Sequence, residues 1–181
     1  MTHKLAGKRV LMVIAQKQFR DEELFIPKQI LEGEGASVTV ASEHGGNCDG
    51  MLGGRAHADI MIARADAAAF DAVVVVGGAG SPQWLWDSAP LHKTVRAAQS
   101  SSKVVGAICL GPGALAKAGV LKGAEATVYE TPDSLRALRE GGAKFVRKEC
   151  VVAAEHKLVT ASGPQAAKEF GLALVAAIAT G

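Results

Sequence analysis

Val104-Val105-Gly106-Ala107-Ile108-Cys109-Leu110-Gly111-Pro112-Gly113 starts as a run of small and apolar residues and changes character at a single cysteine. The run before Cys109 suits a strand covered on both faces of a parallel sheet, and the glycines and proline behind it open a helix at once. A strand that breaks at a cysteine into a helix is a nucleophile elbow. Gly106, Ala107, Gly111 and Gly113 relieve crowding at so sharp a turn. A thiol at a helix N-terminus also meets the positive end of the dipole and free N–H groups, so the spacing predicts a lowered pKa for Cys109. The competing reading is an inert buried cysteine behaving as a small hydrophobe. The strand, turn and helix context favours the reactive one.

Working outward, residues 9–15 and 72–76 repeat the short Val- and Ile-rich pattern and join Val104–Ile108 as central strands. Residues 21–34 carry acids in the first turn, place Leu24, Ile30 and Leu31 at helical spacing and end in glycines, which predicts a helix. Residues 37–41 alternate as a strand, and 56–62 form a further strand after the turn-rich segment 45–54. Helices follow at 90–100, 111–118 and Pro132–Glu140, the last closed by Gly141 and Gly142. Residues 157–161 form a strand, Ser162-Gly163-Pro164 turns the chain, and Ala166, Phe170, Leu174 and Ile178 mark a final helix packed on the sheet. The alternation predicts one α/β domain over residues 1–181. It is a three-layer α-β-α sandwich of the flavodoxin-like, doubly wound kind, with its site beyond the carboxyl ends of a mostly parallel sheet.

Composition narrows the partners. Hydrophobic residues at 49% and charged residues at 21% fit an ordinary globular protein. Lys and Arg number 20 against 18 acids, for a net charge of +2 without runs of either sign, so nothing points to nucleic acid or a membrane surface. The apolar run near the N-terminus is short and lacks a cleavage site, and the C-terminal apolar stretch falls short of the roughly 20 residues of a membrane span. The cytoplasm is the expected location. Cysteines 48, 109 and 150 are too few and too spread for a disulfide framework or a zinc knot, and reduced thiols are expected. Cys48 and Cys150 lack the context of Cys109.

Two further segments carry chemistry. Val73-Val74-Val75-Val76-Gly77-Gly78-Ala79-Gly80-Ser81-Pro82 runs a buried strand straight into glycines, whose N–H groups can approach a ligand or a developing anion. It misses the last glycine of a dinucleotide fingerprint, and its plainer reading is a tight turn. Phe19-Arg20-Asp21-Glu22-Glu23-Leu24-Phe25-Ile26-Pro27 puts three acids at a helix start, ordinarily dipole partners. Glu23 adjoins the apolar Leu24-Phe25-Ile26 run and could point into the crevice, where burial would keep it protonated. Trp84 and Trp86 are read as packed aromatics ahead of lid or interface residues.

In this order, Arg20-Asp21-Glu22-Glu23-Leu24-Phe25-Ile26-Pro27, Val76-Gly77-Gly78, Ala107-Ile108-Cys109-Leu110-Gly111-Pro112, and Ser162-Gly163-Pro164 ahead of Glu169-Phe170 resemble the DJ-one/PfpI superfamily, a branch of the class I glutamine amidotransferase-like fold. The resemblance runs over nearly the whole chain. It implies that Cys109 is the reactive cysteine, Glu23 the acid placed against its sulfur, and the N–H groups of Gly78 and Leu110 the anion-stabilising pair. Tyr129 falls where members place a Tyr or His near the sulfur. It further implies a homodimer and cofactor-independent chemistry, of the glyoxalase or deglycase kind, on a small aldehyde or glycated substrate. No cofactor or metal is expected, since no cluster with ligand spacing is visible. A redox sensor or chaperone acting through oxidation of Cys109 is the alternative. A cysteine peptidase or amidase is a second, weakened by Leu110 where PfpI-type peptidases carry His and by Arg20 where they often have an acid. His92 and His156 lie outside the matched motifs and are read as structural or surface residues.

Overall fold

In the computed structural model, which describes residues 2–181, the fully apolar stretches become the middle of a sheet because only strands covered on both faces bury every side chain. The chain runs β1 (Arg9–Val13), β2 (Lys17–Phe19), α1 (Asp21–Gly33), β3 (Ser37–Ser42), β4 (Gly46–Gly50), β5 (Arg55–Ala58), β6 (Ile60–Met61), β7 (Ala72–Val75), α2 (Ser81–Trp84), α3 (Ala89–Ser100), β8 (Val104–Ile108), α4 (Pro112–Lys117), β9 (Glu125–Ala126), α5 (Pro132–Glu140), β10 (Lys144–Phe145), β11 (Cys150–Ala153), β12 (Leu158–Ala161) and α6 (Ala167–Ala179). Seven strands form the main sheet in the order β11-β12-β8-β7-β1-β3-β6, parallel throughout except for β11.

The layers follow from crossover handedness. The step from β1 to β3 moves one way along the sheet and the step from β7 to β8 the other, so right-handed crossovers place α1 and α3 on opposite faces. Helix α6 packs beside α1, close enough that a side chain at Gly171 would meet Ile30 and Pro27. The result is the expected α-β-α sandwich, with β1, β7, β8, Phe170 and Leu174 in one continuous core. Among the described residues no helix is long and apolar enough to cross a membrane.

The second quarter of the chain departs from the expectation. Residues 56–62 are not one strand: β5 pairs antiparallel with β4 in a separate three-stranded sheet with β2, and β6 joins the edge of the main sheet. Asp59 makes the break, its N–H donating to the Val40 carbonyl (2.7 Å) while its carboxylate accepts the Val40 N–H (2.8 Å). A side chain takes the place of a ladder carbonyl there. The segment 45–54, expected as turns, holds β4 and a tight turn. The strands β9, β10 and β11 were equally unforeseen, being short strands of two to four residues without a sustained period, whereas β12 lies where a strand was expected.

Candidate active site

Strand β8 ends at Ile108, and Cys109, next in the chain, takes a left-handed backbone (φ +62°). For a residue with a side chain this conformation costs roughly 1–2 kcal/mol, and it persists only where surrounding bonds over-determine it. They do. The Cys109 N–H donates to the Ala161 carbonyl (2.8 Å), the Cys109 carbonyl accepts from Tyr129 N–H (2.8 Å), and the Ile108 carbonyl accepts from Gly111 N–H (2.9 Å). The expected elbow is therefore built, with the thiol buried at the carboxyl end of the sheet.

Glu23 reaches the sulfur because the three acids of the first turn of α1 go to three places. The Asp21 carboxylate accepts the N–H groups of Leu52 (3.0 Å) and Gly54 (2.7 Å), fixing the helix start against the turn between β4 and β5. Glu22 turns outward and pairs with the Arg20 guanidinium through two hydrogen bonds of 2.8 and 3.1 Å. Glu23, at 0% exposure, points inward, its Oε2 accepting the Gly77 N–H at 2.9 Å. Its Oε1 is buried with no hydrogen-bond partner, and the carboxyl lies beside Cys109 closely enough that each group shifts the titration of the other.

The glycine turn after β7 completes the site. A Cβ at Gly77 would lie 2.5 Å from Glu23 Oε2 and 2.6 Å from Cys109 Cβ, so only glycine lets these two side chains meet. Gly78 has φ +120°, and its N–H and that of Leu110 lie on the side of the sulfur where both act to lower the thiol pKa. Among the described residues neither N–H donates to a backbone carbonyl. The fold leaves both donors unspent where negative charge on sulfur or on a bound oxyanion would sit.

The electrostatics correct one expectation. Burial pushes the Cys109 thiol up, the charge of an ionised Glu23 and the hydrogen bond to it push it further, and the N–H groups of Gly78 and Leu110 pull the other way without prevailing. The predicted fall does not occur because the sulfur is removed from water and stands beside a carboxyl that can ionise. Burial also pushes Glu23 up to about 7, against the bonds from Cys109 and Gly77 N–H and the charge of Arg20. The acid is thus not held protonated at neutral pH but poised near it, where a general base works best. Thiol and carboxyl are best treated as one coupled pair.

Other expected residues fall in different places. Tyr129 meets the site through its backbone, and its side chain is half exposed. His92 Nε2 lies 2.7 Å from the Trp86 carbonyl, and exposed His156 sits in a turn before β12, at the far end of the strand pair from Cys109. Trp86 is buried and Trp84 packs edge-on to His44 (ring centroids 5.9 Å apart), in keeping with packed aromatics. Cys48 is buried in β4, and burial followed by the charge of Glu169 pushes Cys150 up to about 11. Among the described residues no three His, Cys, Asp or Glu side chains converge to hold a metal ion. The parts that sequence reasoning missed are the Asp21 tether and the need for glycine at 77, both set by residues distant in the chain.

The arrangement has relatives. A protein of Methanocaldococcus jannaschii is 42% identical over 96% of this chain and 84% of its own length. A deglycase of Pyrococcus horikoshii is 31% identical over 78% of this chain and 84% of its own. The crystal structure of a ThiJ/PfpI domain protein from Brachyspira murdochii superposes with a TM-score of 0.89 at 32% identity, covering 96% of this chain and 99% of that one. The DJ-1/PfpI family profile matches residues 8–177, a span that takes in Glu23, the glycine turn, the cysteine elbow and most of α6, and the chain belongs to that family.

Proposed function

We propose that this protein is a cofactor-independent enzyme acting on reactive carbonyl compounds, of the glyoxalase or deglycase kind, through Cys109 and Glu23. One observation carries the reading: a fully buried carboxyl titrating near neutrality, with an oxygen left unpartnered, beside a cysteine held on a strained elbow between two unspent N–H donors. A structural cysteine needs neither the strain nor the carboxyl. The name deglycase carried by the Pyrococcus relative supports the same substrate class.

For a 2-oxoaldehyde such as methylglyoxal the steps run as follows. Ionised Glu23 takes the thiol proton as sulfur attacks the aldehyde carbon, and returns it to the carbonyl oxygen, forming a hemithioacetal. The N–H groups of Gly78 and Leu110 stabilise the charge that builds on oxygen in between. Glu23 then removes the proton from the sulfur-bearing carbon and delivers it to the adjacent carbon while the hydroxyl proton of the first carbon passes to the oxygen of the second, converting the adduct into a thioester of a 2-hydroxy acid. Water hydrolyses the thioester, releasing the hydroxy acid and restoring the thiol. No electron acceptor is needed, because one carbon is oxidised as its neighbour is reduced.

A peptidase would need an imidazole at the thiol to protonate a leaving amine, and among the described residues no His hydrogen-bonds Cys109 or Glu23. The reading places the protein in the cytoplasm, where a free thiol persists. The homodimer implied by family resemblance is part of the proposal and is checked by sedimentation. The enzymatic claim is tested by following lactate from methylglyoxal with wild type and Cys109→Ala. Lactate from wild type alone supports it. Absence of lactate, with a peroxide-dependent mass gain on Cys109, replaces it with the sensor.

A further inference from the structure

The elbow is clamped by backbone bonds with one exception. The Leu110 carbonyl accepts the indole Nε1–H of Trp86 at 2.7 Å, the only side-chain donor to the backbone of residues 108–111 among the described residues. Its other partner is the longer bond from Gly113 N–H, at 3.2 Å. The indole lies flush against the start of α4: a Cβ at Gly113 would come within 2.4–2.7 Å of three of its ring atoms. Trp86 is in turn held by its own N–H donating to the Ser81 carbonyl (3.1 Å) and by His92 Nε2 at its carbonyl (2.7 Å). A strained turn whose neighbouring carbonyl is gripped by a buried, doubly tethered ring cannot relax by rotating about Leu110.

We propose that Trp86 is a positioning residue of the anion-stabilising site, its indole N–H fixing the Leu110 carbonyl so that the N–H of the same residue stays aimed at the Cys109 sulfur. The Tyr129 N–H on the Cys109 carbonyl fixes the peptide that carries the Leu110 N–H, and Trp86 fixes the next one. Together they leave Leu110 one orientation. Bonds made to the carbonyls on either side also polarise the turn and strengthen its free donor. The inference rests on the anion-site reading above but not on the identity of the carbonyl substrate.

The test therefore reads the thiol directly. Trp86→Phe keeps an aromatic ring and deletes the donor, and Trp84→Phe is the control. The rate of Cys109 alkylation by iodoacetamide, followed on the Cys109 peptide, is expected to fall about fivefold at neutral pH in Trp86→Phe, the worth of one ordinary hydrogen bond. Its pH profile should move upward while that of Trp84→Phe stays with wild type. Rates and profile equal to wild type in a folded Trp86→Phe overturn the proposal, and so does a lowered melting temperature with the profile unmoved. Should Trp86→Phe fail to fold, Trp84→Phe leaves Trp86 as the sole tryptophan. Its emission must then change when Cys109 is alkylated, and unchanged emission overturns the proposal equally.

Discussion

Replacing Glu23 with glutamine asks whether the buried carboxyl moves the thiol proton. The amide keeps the shape of the side chain and can still accept the Gly77 N–H, so packing is preserved while the base is removed. In wild type the carboxyl is pushed up to about 7, so near neutral pH about half of the molecules hold an ionised base beside the thiol. In Glu23→Gln the thiol must ionise alone. Losing the carboxylate charge and its hydrogen bond relieves part of the upward push on the thiol, but burial still raises it and no base is left to take its proton as sulfur attacks, a contribution of roughly 10²–10⁴-fold, so alkylation at neutral pH is expected to slow by at least about tenfold. The assay is the iodoacetamide rate on the Cys109 peptide across the range from about pH 5.5 to 9.5, which brackets both groups. Wild type should show an inflection near 7, and the variant should lack it and still be rising at the alkaline end. An inflection near 7 in both proteins would show that another group controls the sulfur and would refute the reasoning.

Stability should carry the same signature. Glu23 titrates higher folded than unfolded, so its contribution is fully present below the unfolded value near 4.3 and is lost as pH rises through about 7, a change on the order of 4 kcal/mol. Urea midpoints of wild type and Glu23→Gln should therefore diverge progressively over that window, and a pH-independent difference would contradict the assignment. Gly77→Ala drives a methyl between Glu23 and Cys109, so it should abolish alkylation assisted by Glu23 and cost about 1–3 kcal/mol by urea unfolding. Asp21→Ala leaves the Leu52 and Gly54 N–H groups without their acceptor and should cost about 1–3 kcal/mol, with faster hydrogen exchange at those two amides.

The central layers were legible because burial on both faces leaves a simple trace: residues 72–76 and Val104–Ile108 are all apolar, and the glycines after them are where the sheet meets its site. Cys109 was legible for the same reason, as a polar atom at the end of such a run. What stayed hidden depends on chain segments meeting at a distance. Asp59 breaks a strand by bonding Val40, and Asp21 pins a turn some thirty residues away. The thiol's pKa went the wrong way because the motif shows the helix dipole but not the depth of burial, and burial is the larger effect here. Trp86 was legible as a packed aromatic but not as a donor to Leu110, since nothing local ties the two positions.

The most direct test of the account is whether Cys109 and Glu23 act as one unit on a carbonyl substrate. Lactate formation from methylglyoxal is measured as kcat/KM for wild type, Cys109→Ala, Glu23→Gln and the double variant. Groups that share one proton-transfer task are strongly non-additive, so either single substitution is expected to cost as much as both together. Losses that multiply in the double variant, or lactate that persists without Glu23, would contradict it.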